Sequence, residues 1–204
     1  MKPSTVLALA PFLAAAYSKP VDRQPPRFDV VAVSEGPVQY RALATSSSFF
    51  YLGKGDGFTD SSCPPKVEEA GKCPPGKDTV LKDASTLDTV VPGQVIYVDS
   101  NYAVRATGPN GSYIEADGSH SKPDGIYTGF EYIPGTQRGQ WDFQADGIDG
   151  FLACPYGNDI YQVFVNSPDA KPPRGQKLDT CVKFTAGAVE YDLPGNATAA
   201  AWEY

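Results

Sequence analysis

The chain has 204 residues, of which 20% are charged and 41% apolar, and its formal net charge is -7. This is globular composition, which excludes a disordered or fibrous chain and supplies one domain with a real core but little room for two. The acidic balance, with no basic cluster in the sequence, argues against nucleic acid or an anionic membrane as partner.

The chain opens as a targeting segment. Lys2 gives a basic start, Val6-Leu-Ala-Leu-Ala-Pro-Phe-Leu-Ala-Ala-Ala16 is the apolar stretch, and small residues place cleavage after Ala16 or after Ser18. The stretch is too short to span a bilayer, and Pro11 breaks it as a buried helix. Residues 1–18 are therefore read as a signal peptide, 19–27 as a flexible lead-in and 28–204 as one domain. Removing Lys2 leaves 16 basic against 24 acidic residues, hence -8. The C-terminal Ala199-Ala-Ala-Trp-Glu-Tyr204 lacks the hydrophobic tail of a lipid-anchor signal. The expectation is a secreted protein without a membrane anchor.

Strand-sized apolar runs then recur between Gly- and Pro-rich breaks. Arg27–Ser34 reads as a strand ended by Glu35-Gly36-Pro37, and Val38–Leu43 alternates as a half-buried strand should. Ser48–Gly53 is a short aromatic run. Gly53-Lys-Gly-Asp-Gly57 lacks the G-x-x-x-x-G-K-[ST] pattern of a phosphate loop and reads as a plain turn. Residues 58–78 form a polar loop, with a short helical turn near Lys66–Ala70. Thr86–Val91 and Val95–Val98 flank Pro92-Gly93, a pair suited to the centre of a type II turn, and so predict a hairpin. Residues 99–125 are loop-rich, with weak strands at Ala103–Ala106 and Tyr113–Ala116. From Trp141 to Val165 the chain predicts a strand, a turn over Pro155–Asp159 pinned by Cys154, and a second strand at Ile160–Val165. The alternative place for the short helical turn is Thr198–Ala201. No window carries a sustained helical apolar period. The fold class expected is all-β: an antiparallel sandwich or barrel-like domain.

Four cysteines in a secreted chain allow three disulfide pairings. Local pairing predicts Cys63–Cys73 and Cys154–Cys181, closing loops that contribute roughly 3 and 3.5 kcal/mol. Zinc is the rival ligand, but no C-x-x-C spacing occurs. Asn110-Gly-Ser112 and Asn196-Ala-Thr198 are glycosylation sequons in turn-like sequence, and at least one is expected to carry a glycan.

Catalytic signals are sparse. His120 is the only histidine and sits in a polar run without a G-x-S-x-G elbow, which argues against a Ser-His-Asp triad. Asp142, Asp146 and Asp149 lie among glycines but lack EF-hand spacing, so they read as turn aspartates rather than calcium ligands. Glu131, within Gly129-Phe-Glu-Tyr-Ile133, and Asp142, after Trp141, are the carboxylate pair that a glycosidase alternative requires, although strand-borne carboxylates more often alternate outward into water. Trp141, Tyr132, Tyr127 and Tyr156 could instead form a sugar-stacking platform without catalysis, although aromatics in a β-domain usually serve the core or cross-strand pairs. The sequence thus predicts no catalytic residue, no cofactor and no metal.

Several stretches together carry a resemblance. They are Phe50-Tyr-Leu-Gly53, Cys73-Pro-Pro-Gly-Lys-Asp-Thr-Val80, Val91-Pro-Gly-Gln-Val-Ile-Tyr-Val-Asp99, Gly129-Phe-Glu-Tyr-Ile-Pro-Gly135, Gly139-Gln-Trp-Asp-Phe143, Gly150-Phe-Leu-Ala-Cys-Pro155, Tyr161-Gln-Val-Phe164 and the C-terminal hexapeptide. In this order, with four similarly placed cysteines, the sequence resembles the secreted cell wall protein PhiA family of filamentous ascomycete fungi. It departs from that pattern over residues 100–125, which are longer and rich in Gly, Asn and Ser, and at Tyr161, where the family pattern has tryptophan. The resemblance implies a non-enzymatic cell-wall protein involved in forming phialides and the conidia they bear. It supplies no catalytic residue to carry over. The partner it implies is a wall polysaccharide or another wall protein.

Overall fold

A computed structural model of the chain describes residues 26–54, 59–74, 78–108, 113–114, 120–192 and 199–200. Its strands are β1 (Phe28–Val33), β2 (Leu43–Ser46), β3 (Phe49–Leu52), β4 (Val80–Asp83), β5 (Thr86–Leu87), β6 (Ile96–Val98), β7 (Val104–Ala106), β8 (Tyr113–Ile114) and β9 (His120–Ser121). There follow β10 (Phe130–Ile133), β11 (Gly139–Ala145), β12 (Ile148–Asp149), β13 (Phe151–Gly157), β14 (Ile160–Val165) and β15 (Val182–Glu190). A single short helix, α1 (Pro65–Glu69), interrupts them among the described residues, where the sequence predicts a helical turn.

The spine of the fold is β15. Along one edge it pairs antiparallel with β1, from Phe28↔Glu190 to Val33↔Thr185. On its other edge residues 182–184 pair with β13, and residues 186–188 pair with β11. Two wings therefore diverge from one strand. One runs β10-β11-β15-β1-β4-β5, and the other runs β15-β13-β14-β3-β7-β6 with β2 beside β3. The wings' far strands meet again at the Thr86↔Val95 bridge. There Leu87 N–H donates to Gln94 O at 3.1 Å and Ile96 N–H to Ser85 O at 2.7 Å. The all-β antiparallel class is present, as a sheet curled about one core.

Period-two alternation supplies that core. Phe28, Val30 and Ala32 of β1 point inward, as do Phe184, Ala186 and Ala188 of β15. Trp141 lies at the centre with no exposed surface, its ring 4.7 Å from Phe151 and 5.5 Å from Phe130 between centroids. Its indole N–H donates to Ala84 O at 2.8 Å, so the one polar atom of this side chain is satisfied. Each such fully buried ring stabilises the fold by about 1.5–3 kcal/mol. A second, smaller cluster sits on the opposite face of β13 and β14. It joins Leu152, Cys154, Phe164, Ala103 and Ala170, beneath the segment that runs through the 3-10 turns Pro173–Gly175 and Leu178–Thr180.

Both disulfides of the expected fold class are present, Cys63–Cys73 and Cys154–Cys181. The second fastens the 166–181 segment over the second cluster, directly before β15 begins.

Several local expectations are corrected. Val38–Arg41 is not a strand: Val38 is buried, but Tyr40 takes φ 60° in a turn, and the strand begins only at Leu43. Cys154 does not pin a turn. It is buried within β13, which continues through Pro155 to Gly157 because Pro155 lies past the end of the β15 ladder, where a missing N–H is tolerated. The turn is Asn158-Asp159, both at positive φ, the type I′ geometry of a two-residue hairpin. Asp146-Gly147 makes a second such turn, so the single strand expected before Cys154 is divided into β11, β12 and β13. Around Pro92-Gly93 the hairpin closes only at Thr86 and Val95. Thr89 instead bridges Ala200 in parallel, and Val90 N–H donates to Ala200 O at 2.9 Å. Of the alternative helical turn at Thr198–Ala201 only Ala199 and Ala200 lie within the described residues, and Ala200 takes part in that bridge. Arg27, where the sequence begins the first strand, is held by buried Asp88 at 3.4 Å.

Candidate binding surface

The two carboxylates of the glycosidase alternative are brought together, but on an open face. Glu131 and Asp142 are directly opposed partners of β10 and β11. Phe130 and Phe143 beside them turn inward, so alternation sends both carboxylates outward. Glu131 is exposed, and Asp142 Oδ1 accepts its neighbour's N–H, from Phe143, at 2.9 Å. Neither carboxylate lines the grooves beside Ile133 and Arg138, beside Asp99 and Asp124, or beside Phe49 and Gln162. Asp146 lies in the hairpin turn and Asp149 in β12, and among the described residues no three acidic, histidine or cysteine side chains could share a metal ion. His120 opens β9, whose backbone pairs with β8.

The proposed stacking platform is dispersed. Trp141 is core. Tyr132 lies against Phe28 at 5.1 Å and over Gly139, where an added Cβ would fall 2.5 Å from its ring. Tyr127 is sandwiched: it stacks on Tyr97 at 5.2 Å, and Lys122 Nζ lies 3.8 Å from its ring centroid. Burial pushes its hydroxyl up to about 12. Tyr156 alone belongs to a larger assembly.

That assembly is the outer face of β3, β13 and β14. On β3, Phe50 and Leu52 enter the core, so Phe49 and Tyr51 face the other way. Tyr51 opposes Gln162 of β14, which in turn opposes Cys154 of β13. Tyr51 and Tyr156 meet edge to face at 5.2 Å. Burial, reinforced by the adjacent Tyr156, pushes the Tyr51 hydroxyl up to about 12. Cations cover these rings: Arg105 lies 4.1 Å from the Phe49 centroid, Lys54 4.5 Å from Tyr51, and Arg174 4.1 Å from Tyr156. Such contacts each contribute about 0.5–1 kcal/mol at exposed sites. Burial also holds the Lys54 ammonium below its usual range.

A groove of about 170 Å³ opens beside them, lined by Phe49, Asp99, Asn101, Gln162, Phe164 and Lys171. Gln162 is only 5% exposed. Asp99 Oδ1 accepts the N–H groups of Asn101 and Ala103, at 2.8 and 3.0 Å, while its other oxygen lies 3.9 Å from Arg105. The loop forming this wall is therefore fixed by its own aspartate.

Sequence reading missed Lys54, Arg105, Lys171 and Arg174 as a group, because they come from three separated segments and form no run of charge. The one local clue is Pro172-Pro173-Arg174-Gly175, a turn signal with an arginine at its centre. The sequons Asn110 and Asn196 lie outside the described residues.

An all-β domain fastened by two disulfides has the architecture of an extracellular protein. Over residues 28–204 the chain matches the family model described as PhiA-like secreted protein, and it belongs to that family. Membership makes it a secreted protein and supports a non-enzymatic role at the cell wall. No curated protein and no solved structure matches it.

Proposed function

We propose that this protein is a non-enzymatic structural component of the cell wall that acts in the development of phialides and conidia, held there by direct contact with wall polysaccharide or another wall protein. The observation that carries this is the family match across residues 28–204. The open outer face of β3, β13 and β14 supports it, since it offers polar and aromatic groups to an extended partner rather than enclosing a small substrate. In this reading residues 1–18 are removed on secretion, residues 28–204 act as one domain, and at least one of Asn110 and Asn196 carries a glycan.

The test is retention and phenotype. The secreted protein, mixed with purified wall fragments, insoluble chitin and insoluble β-glucan, sediments with the wall and releases no reducing sugar. A strain lacking it makes fewer phialides and conidia. A protein that stays in the supernatant with every wall fraction, or an unchanged conidial count, overturns the proposal.

A further inference from the structure

The protein as a whole is acidic, at -7, yet Lys54, Arg105, Lys171 and Arg174 converge on one face. Arg174 is the most constrained of them. Its backbone sits at φ 56°, between Pro173 and Gly175, a left-handed conformation that costs a non-glycine residue about 1 kcal/mol or more. Its guanidinium lies on the Tyr156 ring and reaches over Gly157, where an added Cβ would approach Nη1 to 3.3 Å. Among the described residues no carboxylate pairs with it. By contrast Arg105 is already paired with Asp99. Lys54 likewise has Asp60 near it. A planar guanidinium held in place by a ring, with its N–H edge unpaired, is pre-organised for two parallel hydrogen bonds to a carboxylate or phosphate.

The adjoining groove has a different character. Its floor is aromatic, through Phe49 and Phe164, and its polar groups are the amides of Gln162 and Asn101 with Asp99 and Lys171. Gln162 is only 5% exposed and lines the groove. An apolar floor with donors and acceptors around it suits a sugar ring and its hydroxyls. The groove and the arginine are contiguous, since Pro173 lines the one and precedes the other, and Gln162 opposes Tyr51.

We infer that this face is a binding site for an anionic saccharide, with Arg174 taking the acid group and the Gln162 groove seating a neighbouring ring. The acid group is a carboxylate or a phosphate ester, since both present the same paired oxygens. The overall negative charge opposes densely charged polyanions such as nucleic acid, and so favours a glycan with spaced acid groups. This inference rests on the polysaccharide contact proposed above and specifies its chemistry.

The experiment is calorimetric titration of the secreted protein with oligoglucuronate, a phosphorylated mannan oligosaccharide, and neutral β-glucan and chitin oligomers of equal length. At least one acidic oligomer binds at least about tenfold more tightly than every neutral one, and raising salt from about 0.05 to about 0.5 M weakens it. Which acid group binds better identifies the source. Arg174→Ala lowers the affinity about tenfold or more, Arg174→Lys recovers only part of it, and Arg138→Ala on another face changes nothing. Arg174→Gly relieves the positive φ, so it keeps the fold and still shows the loss. Equal binding of neutral and acidic oligomers, or Arg174 variants that bind like wild type, overturns the inference. Failure of both acidic oligomers to bind while wall fragments still retain the protein also overturns it and leaves the wall proposal standing. Loss of wall retention itself overturns the wall proposal.

Discussion

Trp141→Phe tests the packing account at its centre. The smaller ring leaves roughly 40 Å³ unfilled, which at about 24 cal/mol per Å³ costs about 1 kcal/mol. The apolar area no longer buried adds about 1 kcal/mol. The third contribution is specific to this site: the indole N–H that Ala84 O accepts at 2.8 Å is gone, and a part-buried carbonyl left unpaired costs about 1 kcal/mol or more. The sum is about 3–4 kcal/mol, or a fall in melting temperature of about 10 °C for a chain of this size. Urea denaturation followed by far-UV circular dichroism, with disulfides intact, measures it. A loss below about 1 kcal/mol would refute the placement of Trp141, because that tolerance belongs to a ring at the surface.

Three further outcomes follow from particular contacts. Cys154→Ser with Cys181→Ser lowers stability by about 3–4 kcal/mol and exposes the 166–181 segment to protease ahead of the rest, read by limited proteolysis. Gly139→Ala drives a Cβ to 2.5 Å from the Tyr132 ring and costs about 1–3 kcal/mol by thermal melting, whereas Gly147→Ala meets no atom within 4 Å and costs only its backbone strain. Burial raises the Asp29 carboxyl above its ordinary value, and its Oδ1 is buried without a partner. The folded state therefore holds this proton more tightly than the unfolded one, so the group destabilises the fold as pH rises through the raised value. Asp29→Asn raises the melting temperature by about 2 °C at neutral pH, and the gain vanishes once pH falls below the ordinary carboxylate range.

The sequence carries the fold class because period-two alternation and turn residues are local signals. Phe28, Val30 and Ala32 show their inward face without any structure. The errors have local physics too. Ser47-Ser48 turns a hairpin with both residues at positive φ, although neither is a glycine or asparagine, so nothing marks that turn. Val38–Leu43 alternates like a strand, yet Arg41 Nη1–H donates to Asp159 O at 2.6 Å, and contacts of such long sequence separation leave no trace in a window. The sharing of β15 between two wings is likewise non-local. For the site, residue type identified Tyr156 and the Glu131–Asp142 pair, but only the folded sheet shows that the carboxylates face open solvent. Arg174 acquires its meaning from Tyr156 and Gly157, far from it in sequence.

Hydrogen exchange of the secreted protein, free and bound to purified wall fragments, tests the central claim most directly. The account predicts slowed exchange in β3, in β13 and β14 around Tyr156 and Gln162, and in the Lys171–Gly175 turn, with the Glu131–Asp142 face unchanged. Protection confined to β10 and β11, or sugar release from the wall during the experiment, would contradict it.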